Sequence, residues 1–441
     1  MTYFRRNIEA NLLQWKNAEE HFPLLIRGAR QVGKSSVIRE LGKNFEHFLE
    51  INFEIYPEAA KIFEQDLIPQ RICQELSLIF NVPIEAGKTL LFFDEIQVCI
   101  PAISSLRFFY EKMPDLHVIA AGSLLEFALE ELPSFGVGRV RSLYLYPFSF
   151  DEFLNALGEK MLMQAIAKAT PENPLSDIVH SKALNLYKRF LIVGGMPKVV
   201  GHYAETGDLL KCRQTLDDLI DSYQDDFSKY KKRISAFMLS EVFRAVVRQN
   251  GGKFVYAKAT PELNTLQVKL CLELLTMAGL IFSATHTAAN GLPLGAEVNP
   301  KFRKYFLLDS GIFHCLLQLD LSDLLLNNDF EAINKGAIAE LFTGLELLKS
   351  NTSRTELYYW QRETKNSQAE VDFLWQKQGK ILPIEVKSGK KGSMQSMYIF
   401  LEEKQLERGV RVSQENFGKY EKVDVYPLYA VKNIVEQGKT K

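Results

Sequence analysis

The chain has 441 residues, enough for about three domains at roughly 150 residues each. Apolar residues make up 46% and charged residues 24%, ordinary usage for a folded globular protein, which excludes collagen-like, low-complexity and disordered classes. Lys and Arg number 53 against 54 Asp and Glu, so the formal net charge is -1; this excludes a chain basic throughout but not a local basic surface.

The first residues, Met1-Thr2-Tyr3-Phe4-Arg5-Arg6-Asn7, have no apolar stretch behind the arginines, so no signal peptide is expected. No run approaches the ~18 apolar residues of a membrane helix, so no membrane partner is expected. The five cysteines, Cys73, Cys99, Cys212, Cys271 and Cys315, are scattered and form no C-x-x-C pair. Buried free thiols in a reducing, cytoplasmic setting are the expectation.

Five short apolar runs read as buried strands: Leu24–Ile26, Phe48–Ile51, Thr89–Phe93, Val118–Ala120 and Ser142–Tyr146. Amphipathic stretches such as Ser104–Met113 lie between them, an alternation that predicts a parallel sheet covered on both faces. After the first run comes Gly28-Ala29-Arg30-Gln31-Val32-Gly33-Lys34-Ser35, followed by Ser36. It fits G-x-x-x-x-G-K-[ST] fully, a match expected by chance in about one such chain in a hundred. Glycines let backbone N–H groups wrap phosphate oxygens, and the following helix N-terminus adds partial positive charge. Lys34 is expected at the β/γ-phosphates of ATP and Ser35 on Mg²⁺.

The third run ends in Asp94-Glu95, at the strand end where open α/β sheets bind ligands. Asp94 is the second candidate Mg²⁺ residue, and Glu95 is placed to orient the attacking water. Ala121-Gly122-Ser123 ends the fourth run, making Ser123 a candidate γ-phosphate sensor. Gly138-Arg139 precedes the fifth, and Arg139 is a candidate cation for the transition-state charge, from the same chain or a neighbouring copy.

Thr170-Pro171-Glu172-Asn173-Pro174 reads as a linker or long loop. Ser176 to about Tyr230 reads as helices broken at Gly194-Gly195-Met196-Pro197. Ala236 to about Leu317 reads as helices followed by a hairpin of Leu280–Ser283 with Tyr305–Leu308, which suggests a winged-helix unit. The last ~110 residues return to mixed α/β. The expected divisions are 1–157, 158–235, 236–325 and 326–441.

In the last division, Gln378-Gly379 reads as a two-residue hairpin turn. Residues 377 and 380 then pair, and counting outward sets Asp372 opposite Glu385. Glu385 and Lys387 share a strand face, giving two carboxylates and a lysine on one patch. That layout suits Mg²⁺ and a water attacking a phosphodiester. Glu340, on a helix expected over Ala337–Leu348, adds a third carboxylate. Lys231-Lys232-Arg233 and Lys387-Ser388-Gly389-Lys390-Lys391 are basic clusters suited to phosphate contacts with DNA.

The stretches Gly28–Ser35, Phe93-Asp94-Glu95-Ile96-Gln97, Gly122-Ser123, Gly138-Arg139 and Pro147-Phe148-Ser149-Phe150-Asp151-Glu152-Phe153 resemble prokaryotic AAA-family ATPases with a C-terminal domain of unknown function. Gly194-Gly195-Met196-Pro197 and Leu308-Asp309-Ser310-Gly311 resemble the middle region of the same family. Leu124 stands where that family usually has a second Ser. The resemblance covers nearly the whole chain and implies ATP binding and hydrolysis, with a helical and winged-helix middle. Asp372, Glu385-Val386-Lys387 and Glu340 resemble the PD-(D/E)XK nuclease superfamily. The expected fold class is therefore α/β: a P-loop NTPase parallel sheet, a helical and winged-helix middle, and a small nuclease-like end.

Three readings follow. One is an ATPase whose nucleotide cycle gates a DNA-directed, nuclease-like domain. Another is a non-enzymatic, ATP-dependent switch for a protein partner or a second copy of the chain. A P-loop kinase fits less well, because Asp94-Glu95 suits attack by water.

Overall fold

The computed structural model describes residues 2–130, 138–230, 234–318, 335–362, 369–389 and 392–436. The chain divides into two compact units. Unit 1 holds Met1–Tyr146 with the short pieces Met277–Gly279 and Thr352–Arg354, and unit 2 holds the remainder.

Unit 1 is built on five parallel strands, β1 (Leu24–Arg27), β2 (His47–Asn52), β3 (Thr89–Asp94), β4 (His117–Ala121) and β5 (Arg141–Tyr144). All five expected runs are strands, in the order β2-β3-β4-β1-β5. Every residue of β3 and β4 is buried, as continuous apolar runs must be when helices cover both faces. One face packs Leu25, Leu49, Leu91, Phe93 and Val118 against Phe53, Phe63 and Phe109. Burying each such side chain stabilises the fold by about 2 kcal/mol. Because all the strands are parallel, their C-terminal ends share one edge. The helix Lys34–Gly42 begins at that edge, after β1.

Unit 2 starts with helices. Asp177–Val193, Pro197–Thr206 and Leu209–Asp226 fill the expected helical run. The loop at 170–174 is a tight turn in which Thr170 and Asn173 exchange backbone hydrogen bonds. Lys419 pairs with Glu172 beside it at 2.8 Å.

The expected hairpin is present as β6 (Ile281–Thr287) and β7 (Val298–Leu307). The C-terminal strands are β8 (Leu357–Gln361), β9 (Glu370–Lys377), β10 (Lys380–Val386), β11 (Gly409–Ser413), β12 (Gly418–Tyr420) and β13 (Val423–Pro427). All eight form one sheet, in the order β12-β13-β11-β10-β9-β8-β6-β7. The hairpin is thus no free wing: β6 pairs in parallel with β8, Ala284 with Leu357, which satisfies a strand edge otherwise left open. The β9–β10 turn is as expected. Lys377 pairs with Lys380, and Gln378 and Gly379 have φ of 49° and 74°, the left-handed pair such a turn demands.

Three stretches of the family resemblance meet inside unit 2. Phe148 N donates to Gly195 O at 2.7 Å. Asp309 Oδ2 accepts from Gly195 N at 2.6 Å, and Asp309 Oδ1 accepts from Ile312 N at 3.1 Å. A Cβ on Gly195 would lie 2.3 Å from Phe148 O, so no side chain fits there. Burial raises the Asp309 carboxyl above its ordinary range, while these N–H donors oppose the shift. Asp309→Ala strands buried donors and should lower stability by about 3 kcal/mol in denaturant unfolding. Gly195→Ala should cost about 2 kcal/mol or more in the same measurement.

Candidate functional site

The P-loop leaves β1 through backbone conformations that L-residues resist. Gly28, Gln31 and Gly33 have φ of 147°, 64° and 95°. A Cβ on Gly28 would stand 2.1 Å from Leu145 O, so position 28 admits only glycine. Arg6, buried and distant in sequence, braces the loop: it donates to Val32 O at 3.0 Å and to Tyr146 O at 2.7 Å. Ala29 and Val32 are buried, Arg30 is half-buried, and Gln31 and Ser36 are exposed.

Lys34 opens the helix and folds back over the loop, donating from Nζ to Gly28 O and Ala29 O, both at 2.9 Å. Burial lowers its pKa to about 8, with the Glu95 and Asp94 carboxylates pulling upward. Ser35 Oγ donates to the Asp94 carboxylate at 2.9 and 3.1 Å. Asn52, ending β2, donates to Asp94 Oδ2 at 3.2 Å. Burial raises the Asp94 pKa, opposed by its bond from Ser35. A hydroxyl and a carboxylate in contact form a hard-oxygen pair of the kind Mg²⁺ takes alongside phosphates and water. Ser35 and Asp94 therefore fit that ion.

Glu95 follows at the strand end in a left-handed conformation, φ 49°. Its Oε2 accepts from Gln97 Nε2 at 2.7 Å, Ser123 Oγ at 3.3 Å and Ser123 N at 3.4 Å. The ends of β3 and β4 thus bring Glu95 and Ser123 together. Gly122 makes room, since a Cβ there would lie 2.0 Å from Gln97 Oε1. Arg139 is not brought to this edge. It precedes β5, at the N-terminal end of the parallel sheet, and pairs with Glu111 at 2.8 Å. Nothing in the sequence singles out Arg6, Asn52 or Gln97: Arg6 and Asn52 meet their partners only through the fold, and Gln97 reaches back to Glu95 through the turn after β3.

In unit 2, β9 and β10 pair as far as Phe373 with Ile384, and Asp372 Oδ2 accepts from Val386 N at 2.8 Å. A register irregularity against β8 between Tyr358 and Trp360 falls opposite this stretch of β9, the kind of bulge that re-aims a side chain. Lys387 Nζ bonds Glu385 Oε1 at 2.6 Å. Burial, with Asp372 next, raises the Glu385 carboxyl to about 7. Glu340 turns to Lys304 of β7, its Oε1 accepting at 2.7 Å. Glu370 also pairs with Lys304, and Asp372 Oδ1 lies 3.7 Å from the same ammonium. The buried Glu385 Oε2 has no hydrogen-bond partner. Among the described residues no group of three His, Cys, Asp or Glu is arranged to hold a metal. Glu340, Asp372 and Glu385 do not fit a divalent site. Lys231, Lys232, Arg233, Lys390 and Lys391 lie outside the described residues.

Residues 20–154 match the family model described as an AAA domain. Fold and site together define a P-loop nucleotide-binding domain of the AAA type in unit 1. Residues 184–323 and 335–431 match models described as domains of unknown function, DUF8612 and DUF4143. The Walker-type ATPase PABY2304 of Pyrococcus abyssi is similar at 17% identity, covering 71% of this chain and 96% of its own, with a TM-score of 0.46. The Aeropyrum pernix ORC1 protein in complex with DNA follows at 14% identity, 72% and 93% coverage, and a TM-score of 0.31. The Drosophila ORC bound to DNA has 16% identity, 71% and 85% coverage, and a TM-score of 0.25. No curated protein matches the chain. Among the described residues no helix is long and apolar enough to cross a membrane.

Burial lowers the Lys34 pKa to about 8, so the charged form that phosphates would favour wanes above that pH. Nucleotide affinity should therefore be level below about pH 7.5 and fall above about pH 8, by up to about tenfold per pH unit. Titration of a fluorescent nucleotide across that range checks this. Lys34→Ala should bind weakly and lose the pH dependence.

Proposed function

We propose that the protein hydrolyses ATP with Mg²⁺ and that its nucleotide cycle controls unit 2 as a DNA-directed module. The observation that carries the hydrolytic reading is the position of Glu95. It lies one residue beyond Asp94, with its carboxylate held across to Ser123 on the next strand end. The P-loop N–H groups and Lys34 bind and orient the phosphates. Ser35 and Asp94 hold Mg²⁺, which when bound offsets charge on the β- and γ-phosphates. Glu95 accepts a hydrogen bond from the attacking water and draws off its proton. Ser123 and Gln97 fix the Glu95 carboxylate, and Ser123 is placed to exchange that bond for one to the γ-phosphate. Arg139, at the far edge of its own sheet, is available only to a neighbouring copy. DNA direction is supported by the basic stretch Lys387-Ser388-Gly389-Lys390-Lys391 in the sequence.

A second reading, a nucleotide-dependent switch for a protein partner, is favoured by one observation. The Glu95 carboxylate is engaged by Gln97 and Ser123. If that clamp persists with ATP bound, turnover is rare. ATPase assays with and without DNA separate the readings. Under the first, Glu95→Gln keeps nucleotide affinity but loses about 10²–10³ in rate. Lys34→Ala loses both, and DNA changes the wild-type rate. A wild-type rate equal to that of Glu95→Gln rejects hydrolysis and leaves the switch.

A further inference from the structure

We propose that Lys304 is a built-in cation standing where a divalent ion would sit in the carboxylate cluster of unit 2, so that this cluster takes no metal in the native chain. The inference is independent of the ATPase reading.

Lys304 lies on β7 on the same strand face as Phe302 and Phe306, and begins the buried run 304–307. It is fully buried. An ammonium withdrawn from water costs several kcal/mol unless charges and hydrogen bonds replace the lost hydration. Three carboxylates do so here, from two separate elements. Glu340 Oε1, on the helix Lys335–Lys349, lies 2.7 Å from Nζ. Glu370 and Asp372 reach it from β9, Glu370 in direct contact and Asp372 at 3.7 Å. Nζ also stands 5.1 Å from the centre of the Tyr359 ring, which adds a favourable cation–π contact. Burial pushes the Lys304 pKa down, but Glu340, Asp372 and Glu370 outweigh it and hold the lysine charged.

The ammonium offers three N–H donors from a compact charge, and three acids converge on it. A divalent ion needs those same oxygens as its first ligands. It could take them only by displacing a lysine whose backbone is paired within the sheet, Lys304 with Ala284. Asn250 Nδ2 donates to Ala337 O at 2.7 Å, which ties the first turn of the helix carrying Glu340 in place. The second oxygen of Asp372 is taken by Val386 N. The arrangement keeps the strand framework of a metal-dependent site while supplying the positive charge from the protein itself.

Equilibrium dialysis against Mn²⁺, without nucleotide, tests the proposal on the full chain. Wild type and Asp372→Asn should bind the same amount of Mn²⁺. Lys304→Ala and Lys304→Met should each bind an additional ion, lost again when Asp372→Asn is added, and Mn²⁺ should raise their unfolding temperature by more than it raises that of wild type. A wild-type Mn²⁺ ion that Asp372→Asn removes overturns the proposal. So does a folded Lys304→Ala chain that binds no more Mn²⁺ than wild type. Should neither Lys304 variant fold without metal, the comparison of wild type with Asp372→Asn decides alone.

Discussion

The ammonium of Lys304 has no contact with water, and the arrangement of unit 2 is built around that constraint. A buried cation fixes the position of whatever neutralises it. Glu340 must face inward from its helix, β9 must present Glu370 and Asp372 together, and β7 must lie in the same sheet as both. Removing Lys304 leaves three acids without their shared cation, an imbalance far larger than the loss of a surface ion pair. Glu340 is buried as well, and the ammonium of Lys304 opposes the rise in its pKa that burial causes.

Unit 1 meets the same electrostatic problem with the opposite result. Its buried charges, Lys34 and Asp94, are satisfied by groups that can let go. Lys34 rests on two carbonyls of its own loop, and Asp94 holds the hydroxyl of Ser35 and the amide of Asn52. These are neutral partners, weaker than the phosphates and cation that suit the site. The cluster around Lys304 contains full opposite charges and is internally complete. One site is poised for exchange and the other is held by full charges, though both are assembled from lysines and carboxylates.

Much of unit 1 was legible in the sequence because continuous apolar runs and the G-x-x-x-x-G-K-S spacing are local signals. The β9–β10 register was legible too, since a Gln-Gly turn of two residues fixes the pairing outward. What sequence could not supply was the identity of neighbours across strands. Gln97 and Ser123 meet only because β3 and β4 are adjacent, and Arg139 falls at the wrong edge only because β5 runs parallel to β1. Lys304 gave a usable hint, a lysine on the same strand face as Phe302 and Phe306. Its acidic partners could not be inferred without knowing that β6 pairs with β8. That pairing also explains why the hairpin, read as a wing, instead became the edge of a larger sheet.

The eight-stranded sheet has a consequence for how the chain is made. The strands of unit 1 are complete by residue 144, so that sheet can close while most of the polypeptide is still unsynthesised. Unit 2 has no such early stopping point. Asn433 donates to Ile166 O and Ala169 O, and His180 bonds Tyr429, joining its first helices to its last. Contacts of such long sequence separation form slowly, because the chain between them must be ordered first. During translation the hairpin and Lys304 emerge well before β8 and β9, leaving a sheet edge and a charge to wait for partners. Truncation near the C-terminus would therefore remove the closing contacts of everything after Pro147, and chaperone demand should fall on this half of the molecule.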